Sequence, residues 1–342
     1  MDRIENNFPD KQKKDSSLTI QQEALLRGMM QKNGKAVTEY AIDKHGNRAY
    51  SEAPSAEQIR NFLEQFKGDP KEFLAYAREN LFSIMKDAKL PVEKKKERVR
   101  RYIDAYFDLM IRIDRKTFPP SGQVCQGVPK YVTDGLSDMG SDPKTDPQGR
   151  GREKIRVDKK KIFEQSKEMF YQIFSQDMTG VDSDRLKDYI VKYVSYFVFA
   201  KMPYDRVNAD PFRGADRSIR LHESADKQLA VCRHHALYAQ VLLQAFGLTS
   251  RLLKCDVDFG KGYSAHVANL VRINHKWYLL DVTNADVGKN GQGETFMREL
   301  PERDIDVKRQ AHEWELRRNN GEIWKYRSRD NMFYRIMDNR KS

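Results

Sequence analysis

From residue 229 to residue 286 the chain reads LAVCRHHALYAQVLLQAFGLTSRLLKCDVDFGKGYSAHVANLVRINHKWYLLDVTNAD. An apolar helical run passes through one glycine straight into three β-rich runs, and that order leaves few ways to pack. Cys232, Ala236, Ala239, Leu243 and Phe246 recur at helical spacing, which predicts a helix over about 230 to 246 with a turn at Gly247. The runs 251 to 257, 265 to 273 and 276 to 282 are rich in Val, Leu and Ile, and Asn274-His275 is a connector of hairpin length. Strands joined so closely pair antiparallel, and a helix with an apolar face ahead of them packs on that sheet. The expected fold class is α+β, with a cysteine at a helix N-terminus packed against an antiparallel sheet and a helical region preceding it.

Three chemistry-bearing side chains sit on separate elements of this unit. Cys232 heads the helix, His266 lies mid-strand in parity with Ser264 and Ala268, and Asp281 ends the run KWYLLD. A sulfur at a helix N-terminus feels unpaired N–H groups and the positive end of the macrodipole, which favours thiolate, and the same N–H groups can hold an oxyanion. Small alanines after Cys232 let the strands approach the helix closely. An imidazole in a half-buried strand needs a hydrogen-bond partner, and a carboxylate on the next strand can fix its tautomer. Taken singly, Cys232 reads as a small buried hydrophobe, but the ordered set of thiol, imidazole and carboxylate is the raw material of an activated nucleophile with its base and orienter.

On these residues the chain resembles the transglutaminase-like branch of the papain-like cysteine enzyme superfamily. The motifs are the Cys helix, the His strand and WYLLDVT. More narrowly, VCRHHALYAQVLLQAFGLTSRLLK is similar to the peptidase-like domain found ahead of certain plant Raf-type kinases and in some armadillo-repeat proteins. The likeness covers about 183 to 290, a third of the chain. It implies a papain-like or transglutaminase-like core with Cys232 as nucleophile, His266 as general acid and base, and Asp281 as orienter. It further implies a protein substrate, attacked at a peptide bond or a side-chain amide through a thioester, by a peptidase, a glutamine deamidase or a transglutaminase. Relatives that have lost activity act as interaction modules, which is the alternative. Val282 stands where a prolyl residue often follows the aspartate, and the upstream oxyanion donor has two candidates, Gln228 and Tyr204.

Other readings of the same residues are weaker. Cys232 and His235 lie three apart and could share a metal with His266 and Asp281, but no CxxC or HxxxH pair accompanies them, so neither a metal nor another cofactor is expected. Arg233 and His234 are expected to face solvent or nearby carboxylates, with His235 as a packed support. Cys255 reads as a strand cysteine, and Cys125, in a Gly/Pro-rich loop, receives no role.

The 342 residues divide by pattern into a polar, flexible stretch at 1–55, a helical region at 56–118, a Gly/Pro-rich linker at 119–156, and the enzyme domain at 157–342. Within the first stretch one short helix is expected around 21 to 30. Apolar stripes predict helices at 59 to 66, 73 to 85, 99 to 113, 159 to 178 and 183 to 200. A long loop after Pro203 fits the rim of a cleft. A charged helix is expected over 296 to 319, and EIWKYR as a short strand.

The net charge of +12 is spread along the chain, with a run at Lys94, Lys95, Lys96, Arg98, Arg100 and Arg101. That run reads first as a solvated helix face and second as a patch for an anionic partner. No nucleic-acid motif accompanies it. An odd number of cysteines and the lack of a cleavable apolar leader or an 18-residue apolar run point to a cytoplasmic protein without a membrane span. They do not exclude a bacterial effector secreted into a host cell without a cleaved signal peptide, the second reading.

Overall fold

The computed structural model describes residues 70–117, 131–139, 154–205, 218–284, 297–300, 313–317 and 323–328, with short strands at 41–42, 48–49, 124–125, 286–287 and 293–294. The helices expected at 21 to 30 and 59 to 66 lie outside them. The helices are α1 (Pro70–Lys86), α2 (Val92–Thr117), α3 (Lys159–Ser175), α4 (Ser183–Lys201), α5 (Leu221–Asp226) and α6 (Cys232–Ala245). The strands are β1 (Ala41–Ile42), β2 (Arg48–Ala49), β3 (Val124–Cys125), β4 (Ser137–Met139), β5 (Lys154–Arg156), β6 (Ser218–Arg220), β7 (Ser250–Asp258), β8 (Tyr263–Ile273), β9 (Lys276–Leu280), β10 (Asp286–Val287), β11 (Gly293–Glu294), β12 (Met297–Leu300), β13 (Glu313–Arg317) and β14 (Ile323–Ser328).

The helix stops and starts follow local chemistry. Asp158 accepts the Lys161 N–H at 3.1 Å and Asp182 accepts those of Asp184 and Arg185, so α3 and α4 both open on a carboxylate cap. In α2 the stripe Val99, Tyr102, Ile103, Tyr106, Phe107, Met110 and Ile113 is buried. Lys95 falls on that same stripe, four residues before Val99, and this corrects the reading of the basic run as a solvated face. Its ammonium is buried, donating to the Met85 carbonyl at 2.9 Å and to Asp177 at 3.0 Å. The stem covers apolar surface while the head is tied to the end of α1. Lys94 and Lys96 do lie outside, paired with Glu97 and Glu93.

Helix α6 was expected to bury one face; every residue from Arg233 to Phe246 is buried. Helices cover one side of it and the sheet the other, so even its polar residues, Arg233, His234, His235, Gln240 and Gln244, are buried. Phe170 stacks on Phe246 with ring centroids 4.4 Å apart, and Phe107 on Phe163 at 4.3 Å. Residues from α1 and α2 thus meet those of α3, α4 and α6, together with Val132, Leu136 and Ile155, in one apolar cluster. Gly247 ends α6 at φ +71°, where a Cβ would strike the Arg78 guanidinium.

Strands β7, β8 and β9 form the expected antiparallel meander, with Asn274 and His275 both at positive φ in the connecting turn. The sheet is wider than the meander, six strands in the order β12-β9-β8-β7-β14-β13, every pair antiparallel. Where the described residues fall within the charged helix expected over 296 to 319 they are strands instead: β12 pairs with β9 and β13 with β14. In β13 exposed Glu313 and Glu315 flank buried Trp314, a period of two that its many charges masked. The strand expected at EIWKYR is β14, inserted between β13 and β7. Part of the expected rim loop is regular as well: β6 joins a four-stranded sheet with β3, β4 and β5, and α5 follows it directly.

The sheet has two apolar faces. Leu252, Val271, Ile273 and Leu280 join the helical cluster, whereas Leu253, Cys255, Val257, Ala268, Leu270 and Leu279 pack with Trp314, Trp324 and Tyr326. Among the described residues no helix is long and apolar enough to cross a membrane. The central aromatic stack supplies the first test. Phe170→Ala should cost about 3–5 kcal/mol in urea unfolding, since Phe170 is fully buried between Phe107 and Phe246.

Candidate active site

Cys232 is the first residue of α6, and its neighbours hold the helix entry in place. His234 accepts the Val231 N–H on Nδ1 at 3.1 Å, closing the first turn from the third helical position with an imidazole where a Glu or Gln is usual. His234 and Arg233 are both buried, which corrects their expected exposure. The reason is the all-round burial of α6, which leaves no solvent face for them to occupy. His235 faces Thr283 Oγ1 through Nδ1 at 3.1 Å and the Met202 carbonyl through Nε2. Burial drives its pKa down to about 4, so it is a neutral support between the helix and the turn after β9. With both ring nitrogens engaged, His235 has none left for a metal, and among the described residues no three His, Cys, Asp or Glu side chains are grouped to hold one.

The strand side is set by where β9 stops. It pairs with β8 only over Asn269 to Ile273, so beyond Asn269 that edge of β8 is open to the helix. There the Val267 N–H and the His266 side chain both hydrogen-bond the Cys232 sulfur. Asn269 secures the approach: its Nδ2 donates to the Ala236 carbonyl at 3.0 Å and to Gln240 Oε1 at 3.0 Å.

His266 Nε2 meets Asp281 Oδ2 at 2.8 Å, which leaves Nδ1 for the sulfur. After Leu280 the chain enters a 3-10 turn (Val282–Asn284) that folds back on Asp281. The Thr283 N–H donates to Oδ1 at 3.2 Å, and Asn284 Nδ2 donates to Oδ2 at 2.6 Å. From β14 the Tyr326 hydroxyl donates to the same Oδ2 at 2.7 Å. The three residues expected to act together are therefore joined in the order thiol, imidazole, carboxylate. Asp281 is wholly buried, His266 nearly so, and Cys232 alone is partly exposed.

The electrostatics follow from these contacts. Burial pushes the Cys232 thiol up, but His266 beside it and the Val267 N–H outweigh that and hold it below the usual thiol range. Burial pushes the His266 imidazole down, yet Asp281 on one side and Cys232 on the other raise it from 6.5 to about 10. The Asp281 carboxyl, raised by burial, is carried below its ordinary value by His266, Tyr326 and Asn284. The favoured state is a thiolate beside an imidazolium backed by a carboxylate.

The two oxyanion candidates lie on the segments that deliver Cys232. Tyr204 forms a bridge with Ala230 and is half exposed, its ring 6.3 Å from that of His235. Gln228 is exposed in the turn after α5 at φ 54°, its own N–H given to the Ala225 carbonyl at 3.3 Å. Cys255 is a buried strand thiol, the cross-strand neighbour of His266. Sequence reasoning missed Asn284, Tyr326 and the Val267 N–H. Asn284 was readable from the Asp-Val-Thr-Asn string as a turn that caps its own aspartate. Tyr326 carried no such signal.

No family model and no curated protein sequence matches the chain. Among solved structures, a candidate cysteine protease from Cytophaga hutchinsonii aligns with 39% of this chain at 14% identity and a TM-score of 0.26. The chain spans 40% of that neighbour's length.

Two stability effects test the charge arrangement. Asp281→Ala removes the carboxylate that backs the buried imidazole and leaves Tyr326 and Asn284 without their acceptor, and should cost about 3–5 kcal/mol in chemical unfolding. His266 has a raised folded pKa, so the stability it contributes is complete below about 6.5 and is lost as pH rises through about 10. The stability difference between wild type and His266→Gln should shrink over that window, measured by urea unfolding at successive pH values.

Proposed function

We propose that the protein is a cysteine-dependent hydrolase or acyltransferase of the transglutaminase-like kind, acting on amide bonds of protein substrates. The observation that carries the reading is the joining of a partly exposed thiol at a helix N-terminus to a buried imidazole that is itself held by a buried carboxylate. A structural cysteine has no use for such a partner, whereas a nucleophile does.

In this reading the Cys232 thiolate attacks the amide carbonyl, forming a C–S bond and a tetrahedral oxyanion. The N–H groups at the start of α6 stabilise that charge, with Gln228 or Tyr204 as the proposed second donor. As the C–N bond breaks, His266 gives its proton to the departing amine and a thioester remains. Water, deprotonated by His266, then hydrolyses the thioester and restores the thiol. Where the amide is a glutamine side chain the product is glutamate and ammonia; where a primary amine replaces water the product is a cross-link. Asp281 orients the imidazole and offsets its charge throughout.

Mass spectrometry of candidate substrate proteins incubated with the enzyme and a primary amine separates these outcomes. A cut marks a peptidase, a gain of about one dalton a deamidase, and amine incorporation a transglutaminase. Cys232→Ala should abolish all three while leaving the melting temperature within a few degrees. A thiol-directed probe should label Cys232 and spare Cys255. Labelling of Cys255 in preference, or full substrate turnover by Cys232→Ala, would contradict the proposal.

A further inference from the structure

The Asp281 carboxylate is reached by a phenol from the far end of the described chain. Tyr326 sits 45 residues beyond Asp281, on a strand that pairs with β7 rather than with β8 or β9. Trp324 and Tyr326 of β14 both pack in the apolar cluster on the far face of the sheet, and the Tyr326 hydroxyl bonds the carboxylate at the end of β9.

We infer that Tyr326 is a positioning residue for the Cys232–His266 pair, its hydroxyl keeping the Asp281 carboxylate ionised and its Oδ2 turned toward His266. The inference rests on the cysteine-enzyme reading above. Three donors converge on Oδ2: His266 Nε2 at 2.8 Å, Tyr326 Oη at 2.7 Å and Asn284 Nδ2 at 2.6 Å. Oδ1 is engaged separately by the Thr283 N–H at 3.2 Å. A carboxylate free to rotate would offer the imidazole either oxygen at changing angles. Here a rotation away from His266 breaks the tyrosine and asparagine bonds together. The Tyr326 ring also walls the imidazole, at 6.2 Å between centroids and 66° between planes.

The groups facing Asp281 come from several elements. Helix α6 brings Cys232 and His235, β8 brings His266, and β14 brings Tyr326, which also has the buried thiol of Cys255 on β7 beside it. His235, depressed to about 4, carries no charge at neutral pH. The Tyr326 phenol, pushed up by burial and by Asp281, remains a donor at any working pH. Asn284 is uncharged. Of the donors on Oδ2, then, Tyr326 is the one supplied from outside the β8–β9 hairpin and its turn.

The test is the pH profile of Cys232 alkylation by iodoacetamide, followed by intact mass on the full chain. The acid limb reports the coupled protonation of the Cys232, His266 and Asp281 set. Tyr326→Phe removes one donor from the carboxylate and should move that limb up by about one pH unit. Incorporation of 3-fluorotyrosine at position 326, a stronger donor, should move it down, and it carries the test if the Phe variant fails to fold. Trp324→Phe, in the same strand and apolar cluster, should leave the limb in place. An unmoved limb in both Tyr326 proteins, or an equal shift in Trp324→Phe, would overturn the inference. Wild-type Cys232 reacting no faster than free cysteine would instead overturn the enzyme reading, and this inference would fall with it.

Discussion

A carboxylate with no exposure to water would, on its own, take up a proton, because removing its hydration costs several kcal/mol that nothing else returns. Asp281 is in that position, and the donors that keep it charged come from three separate parts of the chain: the β8 imidazole, the turn that follows β9, and the β14 phenol. Much of the topology can be understood from this requirement. β9 ends where it does because one more pair would carry Asp281 into the ladder opposite Ala268, and a second would set Val282 against Val267, the edge that meets Cys232. β14 has to lie beside β7 for its phenol to arrive. The ionised carboxylate makes a buried imidazolium favourable, and the imidazolium makes the thiolate favourable.

The other constraint is α6. A helix buried on all sides cannot shift to accommodate its first residue, so the position of Cys232 is set by packing along the whole helix. Its far end is stacked on aromatic rings and closed at Gly247, and its middle is tied to β8 through Asn269. Its first turn is closed by His234 and braced by His235 against Thr283. The two histidines after the cysteine are thus parts of the scaffold that aims the thiol. Their burial makes the Cys-Arg-His-His string a packing motif as much as a chemical one.

The helix, the three-stranded meander and the order thiol, imidazole, carboxylate were legible because each depends on local periodicity within one stretch of fewer than sixty residues. The elements that complete the sheet were not. The strands 297 to 300 and 313 to 317 carry enough charge to look helical, and the burial of Leu300 and Trp314 depends on partner strands that local pattern does not show. Lys95 was misjudged for a related reason. A lysine among lysines reads as solvated until the partner that tethers it, Asp177 on another segment, is brought alongside. Tyr326 belongs to the same class: its role comes from strand order, which no local pattern encodes.

The protonation of His266 is the point on which the charge arrangement turns, and nitrogen NMR of the histidine rings measures it directly. With histidine labelled on both ring nitrogens, the account predicts an imidazolium at His266 at about pH 8, with loss of the proton only near 10, and a lower transition when Cys232 is replaced by alanine. A His266 ring that is neutral at that pH and titrates near 6.5 would contradict it, since neither the buried carboxylate nor the thiolate would then be acting on the imidazole.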